Sequence, residues 1–171
     1  MATAVLAKRW GATVLSTTRS PAKRTVLEAI GVDHVIIDDG EISEHVRAVF
    51  PGGVDAALEL IGTPTLPDTL RSTKVHGVVC FTGMLSNQWT VERFYPIEYL
   101  PRGVRLTAYG GDAGDLPVDV LQGFIDAVAA DEATVPISHI YELDQIVQAH
   151  ADMEAGTTTG KLVVTTPGST H

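Results

Sequence analysis

The 171-residue chain contains a single cysteine, Cys80. One thiol excludes a disulfide framework within the chain. Its apolar surroundings, Val78-Val79-Cys80-Phe81, read as a small buried hydrophobe in a strand. Basic charge is also scarce: twelve Lys and Arg against twenty-one Asp and Glu leave a net charge of −9. A general nucleic-acid binder needs a basic footprint to meet phosphates, so that class is excluded. No apolar run approaches the ~20 residues of a membrane span. The first ten residues do not read as a signal peptide, because Lys8-Arg9 follows the apolar stretch instead of preceding it. The expected location is the cytoplasm, with no membrane partner. The six histidines (34, 45, 76, 139, 150 and 171) show no H-x3-H spacing, and no H-E-x-x-H occurs. With one cysteine, no metal-ligand set is expected. There is no G-x-S-x-G for a serine nucleophile. Sixteen glycines are present, yet no G-x-G-x-x-G run precedes a helix.

What is present is a rhythm. Val5, Leu6 and Trp10 fall on helical spacing, and Gly11 ends that helix. Ala12-Thr-Val-Leu-Ser16 reads as a buried strand stopping at a polar, basic mouth, Thr17-Thr18-Arg19-Ser20. Ser20-Pro21 opens a second helix, since serine can cap and proline suits the first turn. Val26, Leu27 and Ile30 form its apolar face. His34 to Asp38 is a short strand. Glu41 to Phe50 is a helix with Ile42, Val46 and Val49 inward. Val54 to Ile61 is a strand, a helix runs through Leu66 and Leu70, and Val78 to Thr82 is a strand. Residues 86–102 break the pattern with Trp89, Phe94, Tyr95 and Tyr99, and hold one helical turn. Val104 to Tyr109 is a strand, Val118 to Ala130 an amphipathic helix, Ile137 to Tyr141 extended, Asp144 to Ala155 helical, and Lys161 to Thr165 a strand. Strands alternating with helices predict an α/β fold with a parallel sheet covered on both faces. Right-handed crossovers make it doubly wound and Rossmann-like.

Five segments carry a resemblance: residues 7–14, Gly31 to Ile36, Val54 to Gly62, Gly77 to Gly83, and Gly160 to Val164. In this order and spacing the chain resembles the cofactor-binding part of the medium-chain dehydrogenase/reductase superfamily, which includes zinc-type alcohol dehydrogenases and quinone oxidoreductases. The resemblance implies that a first strand and glycine-rich loop belong upstream of Met1, so the chain reads as N-terminally truncated. The absent strand would lie between those at Thr13 and Val54 and leave two unpaired edges. It also implies residues 1–136 as a partial NADP-binding domain and residues 137–166 as the return towards a catalytic domain. The terminal residues 167–171 read as a disordered tail.

In open α/β sheets ligands bind beyond the carboxyl ends of the strands. An NAD site places Asp or Glu after the second strand, for the ribose 2′-hydroxyl. Here Ser16, Thr18, Arg19 and Lys23 stand instead. Hydroxyls and cations donate charge-assisted bonds to a 2′-phosphate, which favours NADPH. A solvated basic surface beside a helix start is the alternative. By resemblance, Ile61 and Gly62 after the fourth family strand, and Thr82 and Gly83 after the fifth, line the rest of the cofactor cleft. Each glycine also fits a plain turn. Lys161 resembles a family position near the cofactor, and is equally a solvated lysine before an edge strand. Glu59 reads as buried and must be paired or lie at the strand's end. Asp38-Asp39 reads as a solvated turn.

The resemblance implies an NADP-dependent oxidoreductase moving hydride to or from a carbonyl, quinone or activated alkene. A small-molecule substrate is expected, and homodimerisation through the edge strand near Val104 to Tyr109. No catalytic residue is assigned, because the family draws those largely from the other domain. The chain alone is expected to be inactive. The alternative is a non-enzymatic nucleotide-binding or dimerisation module. A methyltransferase would need an acidic residue after the second strand, against Thr18-Arg19.

Overall fold

The structure is a computed structural model and describes residues 1–168. Along the chain run α1 (Ala2–Arg9), β1 (Leu15–Thr18), α2 (Arg24–Ala29), β2 (His34–Ile37), α3 (Ile42–Val49), β3 (Val54–Glu59), α4 (Leu66–Ser72), β4 (Thr73–Phe81), α5 (Pro96–Tyr99), β5 (Arg105–Ala108), α6 (Val118–Ala129), β6 (Ile137–Glu142), α7 (Ile146–Ala155) and β7 (Lys161–Thr165). The fold is α/β, and every ladder is parallel. Among the described residues no helix is long and apolar enough to cross a membrane. Of the tail expected from Pro167, residues 169–171 lie outside the described residues.

The chain forms two compact units. The first comprises Met1–Ile37 and the chain from Pro117 onward. It contains a two-stranded β1–β2 sheet and a two-stranded β6–β7 sheet. Val5 of α1, Leu27 and Ile30 of the α2 region, Val32, Val35 of β2 and Ala127 of α6 bury into one core. Trp10, expected on the apolar face of α1, instead caps its C-terminus and is exposed. Strand β1 begins at Leu15, later than its apolar run predicts. Val14 is held by the neighbouring loop: its N–H donates to Asp33 Oδ2 at 2.7 Å, and its carbonyl accepts the Asp33 and His34 amides. Ser20 precedes a 3₁₀ turn, Pro21–Lys23, that leads into α2; proline takes the first helical position as expected, but the serine side chain makes no cap bond.

The second unit, Asp38–Leu116, is built on the three-stranded sheet β3–β4–β5. Leu66 and Leu70 of α4, Val79 of β4 and Val104 form its core. In α3, Ile42 and Val46 are buried as their spacing predicts, while Val49 is exposed. Asp68 of α4 accepts the Ser43 amide at 3.0 Å and so satisfies one free N–H of the first turn of α3. Arg47 answers at the other end, donating Nε and Nη2 to the Arg71 carbonyl. Strand β4 begins at Thr73 rather than Val78. Its register against β3 slips from Val54–Thr73 to Ala56–Val78, so residues 74–77 bulge out. His76 there has φ 67° and donates its amide to the Gly103 carbonyl at 2.9 Å.

Within their own units, β1 bonds only to β2 and β3 only to β4 among the described residues. Each therefore has one open edge. Strand β5 likewise bonds to β4 alone, and all four of its residues are exposed.

Candidate functional site

In the second unit the carboxyl ends of β3 and β4 are locked together by backbone contacts. Thr82 donates its amide to the Glu59 carbonyl at 3.0 Å, and Ser86 donates to the Ile61 carbonyl at 2.9 Å. The Thr63 hydroxyl donates to the Gln88 carbonyl at 3.2 Å. Gly83 sits so close to this turn that a Cβ there would lie 2.0 Å from the Leu60 carbonyl carbon. Gly62, at φ 137°, would carry a Cβ 2.3 Å from Ser86 Oγ. Neighbouring protein atoms are therefore sufficient reason for glycine at both positions.

Glu59, the last residue of β3, is only 3% exposed. Its burial required that it be paired or lie at the strand's end, and both hold. One oxygen, Oε1, accepts the amides of Ile61 at 2.7 Å and Gly62 at 3.1 Å, and the Thr65 hydroxyl at 2.9 Å. The other accepts a short bond from the Thr69 hydroxyl. The result is a stiff ledge on which apolar side chains stand exposed: Leu60, Ile61, Met84 and Leu85. Beside it opens a cleft of about 610 Å³, lined by Thr63, Gln88, Trp89 and Tyr99 among others. The Tyr99 ring packs edge-on against Phe94, at 5.0 Å between centroids. Its hydroxyl is buried without a hydrogen-bond partner among the described residues. Burial, and then the nearby Glu59 charge, push the Tyr99 phenol above its ordinary value.

In the first unit the end of β1 is basic and carries no carboxylate. Ser16 and Thr18 alternate onto one face of the strand and are half-buried. The Thr18 hydroxyl accepts the Ser20 amide at 3.2 Å. Arg19 is exposed and forms no ion pair among the described residues. Lys23 lines a separate cavity of about 270 Å³ whose wall also includes Lys161, Thr158 and Thr159. No acidic residue lines that cavity, nor do Ser16, Thr18 or Arg19. Neither lysine is ion-paired among the described residues. Burial, and then the Lys161 charge, hold the neighbouring Met1 amine below its ordinary value.

The eight residues predicted for cofactor contact thus fall into two groups. Ser16, Thr18, Arg19 and Lys23 belong to the first unit, and Ile61, Gly62, Thr82 and Gly83 to the ledge of the second. Thr65 and Thr69 carry no local signal in the sequence, because their part depends on Glu59 turning inward. Asp38 and Asp39 serve their own turn, accepting the amides of Gly40 and Glu41. Among the described residues no cluster of three or more His, Cys, Asp or Glu could hold a metal ion. The residues here do not fit a zinc site, and no chemistry is assigned through one.

Comparison with known proteins places residues 30–164 within the model of a family described as zinc-binding dehydrogenase. A probable quinone oxidoreductase of Leishmania amazonensis is 35% identical over 79 residues, covering 46% of this chain and 23% of that protein. A solved NAD-dependent alcohol dehydrogenase superposes with a TM-score of 0.79 at 19% identity, over 95% of this chain and 46% of its own. A mycobacterial protein solved in complex with NADPH superposes with a TM-score of 0.77 at 23% identity, over 94% and 51%. The chain spans about a quarter of the curated relative it matches and about half of these solved structures.

Proposed function

We infer, because the chain belongs to the zinc-binding dehydrogenase family of the medium-chain dehydrogenase/reductases, that it is the nucleotide-binding part of an NADP-dependent oxidoreductase. The reaction is hydride transfer to or from a small carbonyl compound, quinone or activated alkene. The bound nicotinamide supplies the hydride. The residues of this chain bind and orient it.

The observation that carries the cofactor preference is the basic, carboxylate-free end of β1. A 2′-phosphate bears negative charge, and a carboxylate in this place would repel it. Arg19, the residue after β1, is exposed and forms no ion pair among the described residues, and the Ser16 and Thr18 hydroxyls lie on the strand just before it. Lys23, Lys161, Thr158 and Thr159 supply donors of the same kind around a small cavity. That donor set suits a phosphate group. Both NAD and NADPH are named among the structures of this fold, so the fold itself leaves the choice to these side chains. Within the second unit, the ledge from Ile61 to Gly62 and from Thr82 to Gly83 offers apolar surface and close backbone approach of its own to a nucleotide. The open, exposed edge of β5 favours a homodimer formed by pairing across it. It equally serves a second reading, a nucleotide-binding or dimerisation module without turnover.

Titration of this chain with NADPH and NADH tests the reading. NADPH binds more tightly, and Arg19→Ala weakens it by ~1.5–3 kcal/mol, the range for hydrogen bonds to charged groups. NADH binding is unchanged by that substitution. Equal affinity for the two nucleotides, or tighter NADH, overturns the assignment of NADP. Turnover by a longer form of the protein separates the enzyme from the module.

A further inference from the structure

We propose that Glu59 is a positioning residue for the nucleotide site: its carboxylate sets the backbone of the Leu60–Gly62 turn on which the ligand rests. This inference depends on the ledge being part of that site. Three observations carry it.

First, Glu59 is a buried carboxylate with no cation among its partners. Removing such a group from water is costly unless several donors compensate. Four hydrogen bonds do so here: two from the ledge, one from Thr65 at the N-cap of α4 and one from Thr69 within α4. Second, the bonds fall on amides of a turn whose apolar side chains are exposed. Ile61 is 37% exposed, yet its amide is tied at 2.7 Å. An exposed apolar side chain on an immobilised backbone is of little use to the core, and is suited to a surface that receives something. Third, the lock extends through this turn into the next loop. The Glu59 carbonyl accepts the Thr82 amide, the Ile61 carbonyl accepts the Ser86 amide, and Gly83 packs against Leu60. Setting the first turn therefore also sets the second.

The acceptor, rather than the charge, is what the turn requires. Glu59→Gln preserves an oxygen for the Ile61 and Gly62 amides and the Thr65 hydroxyl, and the Thr69 hydroxyl can rotate to accept. Glu59→Ala removes every bond. Two measurements on the full chain separate positioning from general stability: amide hydrogen exchange, and NADPH affinity by titration. In Glu59→Ala the Ile61 and Gly62 amides lose protection while those of Val79 and Leu70 keep theirs, and NADPH binding weakens about tenfold, the scale of one to two lost hydrogen bonds. Glu59→Gln retains both protection and affinity. Thr65→Val, which removes one donor and leaves the rest, gives the same pattern at smaller size and serves if the alanine variant does not fold. Opened Ile61 and Gly62 amides with unchanged NADPH affinity overturn the positioning role alone. So does a glutamine variant as weak as the alanine variant with its fold intact. A wild-type chain that binds neither nucleotide overturns the underlying reading, and the positioning role with it.

Discussion

Glu59 and Lys161 carry opposite charges into opposite surroundings. Glu59 is buried at the end of β3 and saturated by donors from its own chain. Lys161 opens β7, is exposed, and shares its cavity with a second lysine and no carboxylate. A charge whose valences are filled internally shapes the backbone around it. A charge left without a counter-ion stays available, and two of one sign in one cavity repel until an anion enters. The two regions therefore differ in kind: one charge is satisfied within the fold, and the other is open to solvent.

The sharpest way to break this contrast is through stability. The ledge rests on the core of the second unit, where Leu70 of α4 is completely buried next to Thr69, the partner of Glu59. Leu70→Ala leaves a cavity that close packing cannot absorb, and the expected loss is about 2–5 kcal/mol in urea denaturation. Loss of Ile61 and Gly62 amide protection accompanies it. A loss much below that range means that the ledge does not depend on this core.

The basic cavity should answer in the other way. Lys23→Ala and Lys161→Ala remove no ion pair among the described residues, so each changes stability by at most about 0.5 kcal/mol, the usual range for surface substitutions. Their effect is on anion binding. Inorganic pyrophosphate, titrated by calorimetry at low and high salt, binds the wild-type chain with a steep salt dependence. Each alanine variant flattens that dependence. Lysine variants that destabilise the fold while leaving pyrophosphate binding untouched would reverse the roles of the two regions.

The same contrast explains what could be read from the sequence. Strand β7 lies at Lys161–Thr165 as its short apolar run predicts, and α6 falls within one residue of its predicted end. Both signals are local, an apolar run in one and a helical period in the other. The end of β3 was not legible. Leu60 and Ile61 continue the apolar run, and only the inward turn of Glu59, which takes the Ile61 and Gly62 amides, stops the strand. The start of β1 was hidden for a related reason, since the Asp33 carboxylate takes the Val14 amide from far along the chain. The bulge in β4 depends on His76 bonding to Gly103, again a distant partner. The candidate residues after the strands were legible because their positions follow from topology. Their grouping was not, because Lys23 and Lys161 meet only after folding.

The smallest expected effect belongs to a third kind of charge, paired but exposed. His45 of α3 contacts the Asp39 carboxylate at 2.9 Å. The hydrogen bond from His45, and then the Glu41 amide, hold the Asp39 carboxyl below its ordinary value. The hydrogen bond to Asp39, and then its charge, raise His45 above its own. The two shifts bound a window. The contribution linked to His45 is complete below the unfolded histidine value and is lost as pH rises through the raised folded value. The contribution linked to Asp39 is complete above the unfolded carboxyl value and is lost as pH falls through the lowered folded value. Between those limits the pair stabilises the fold by a constant amount, small because solvent screens it. Urea midpoints of wild type and His45→Gln, measured from acid to alkaline pH, should differ only inside that window. A difference that persists once His45 is neutral would assign the histidine a packing role, and the pair would then belong with Glu59 rather than with the lysines of the basic cavity.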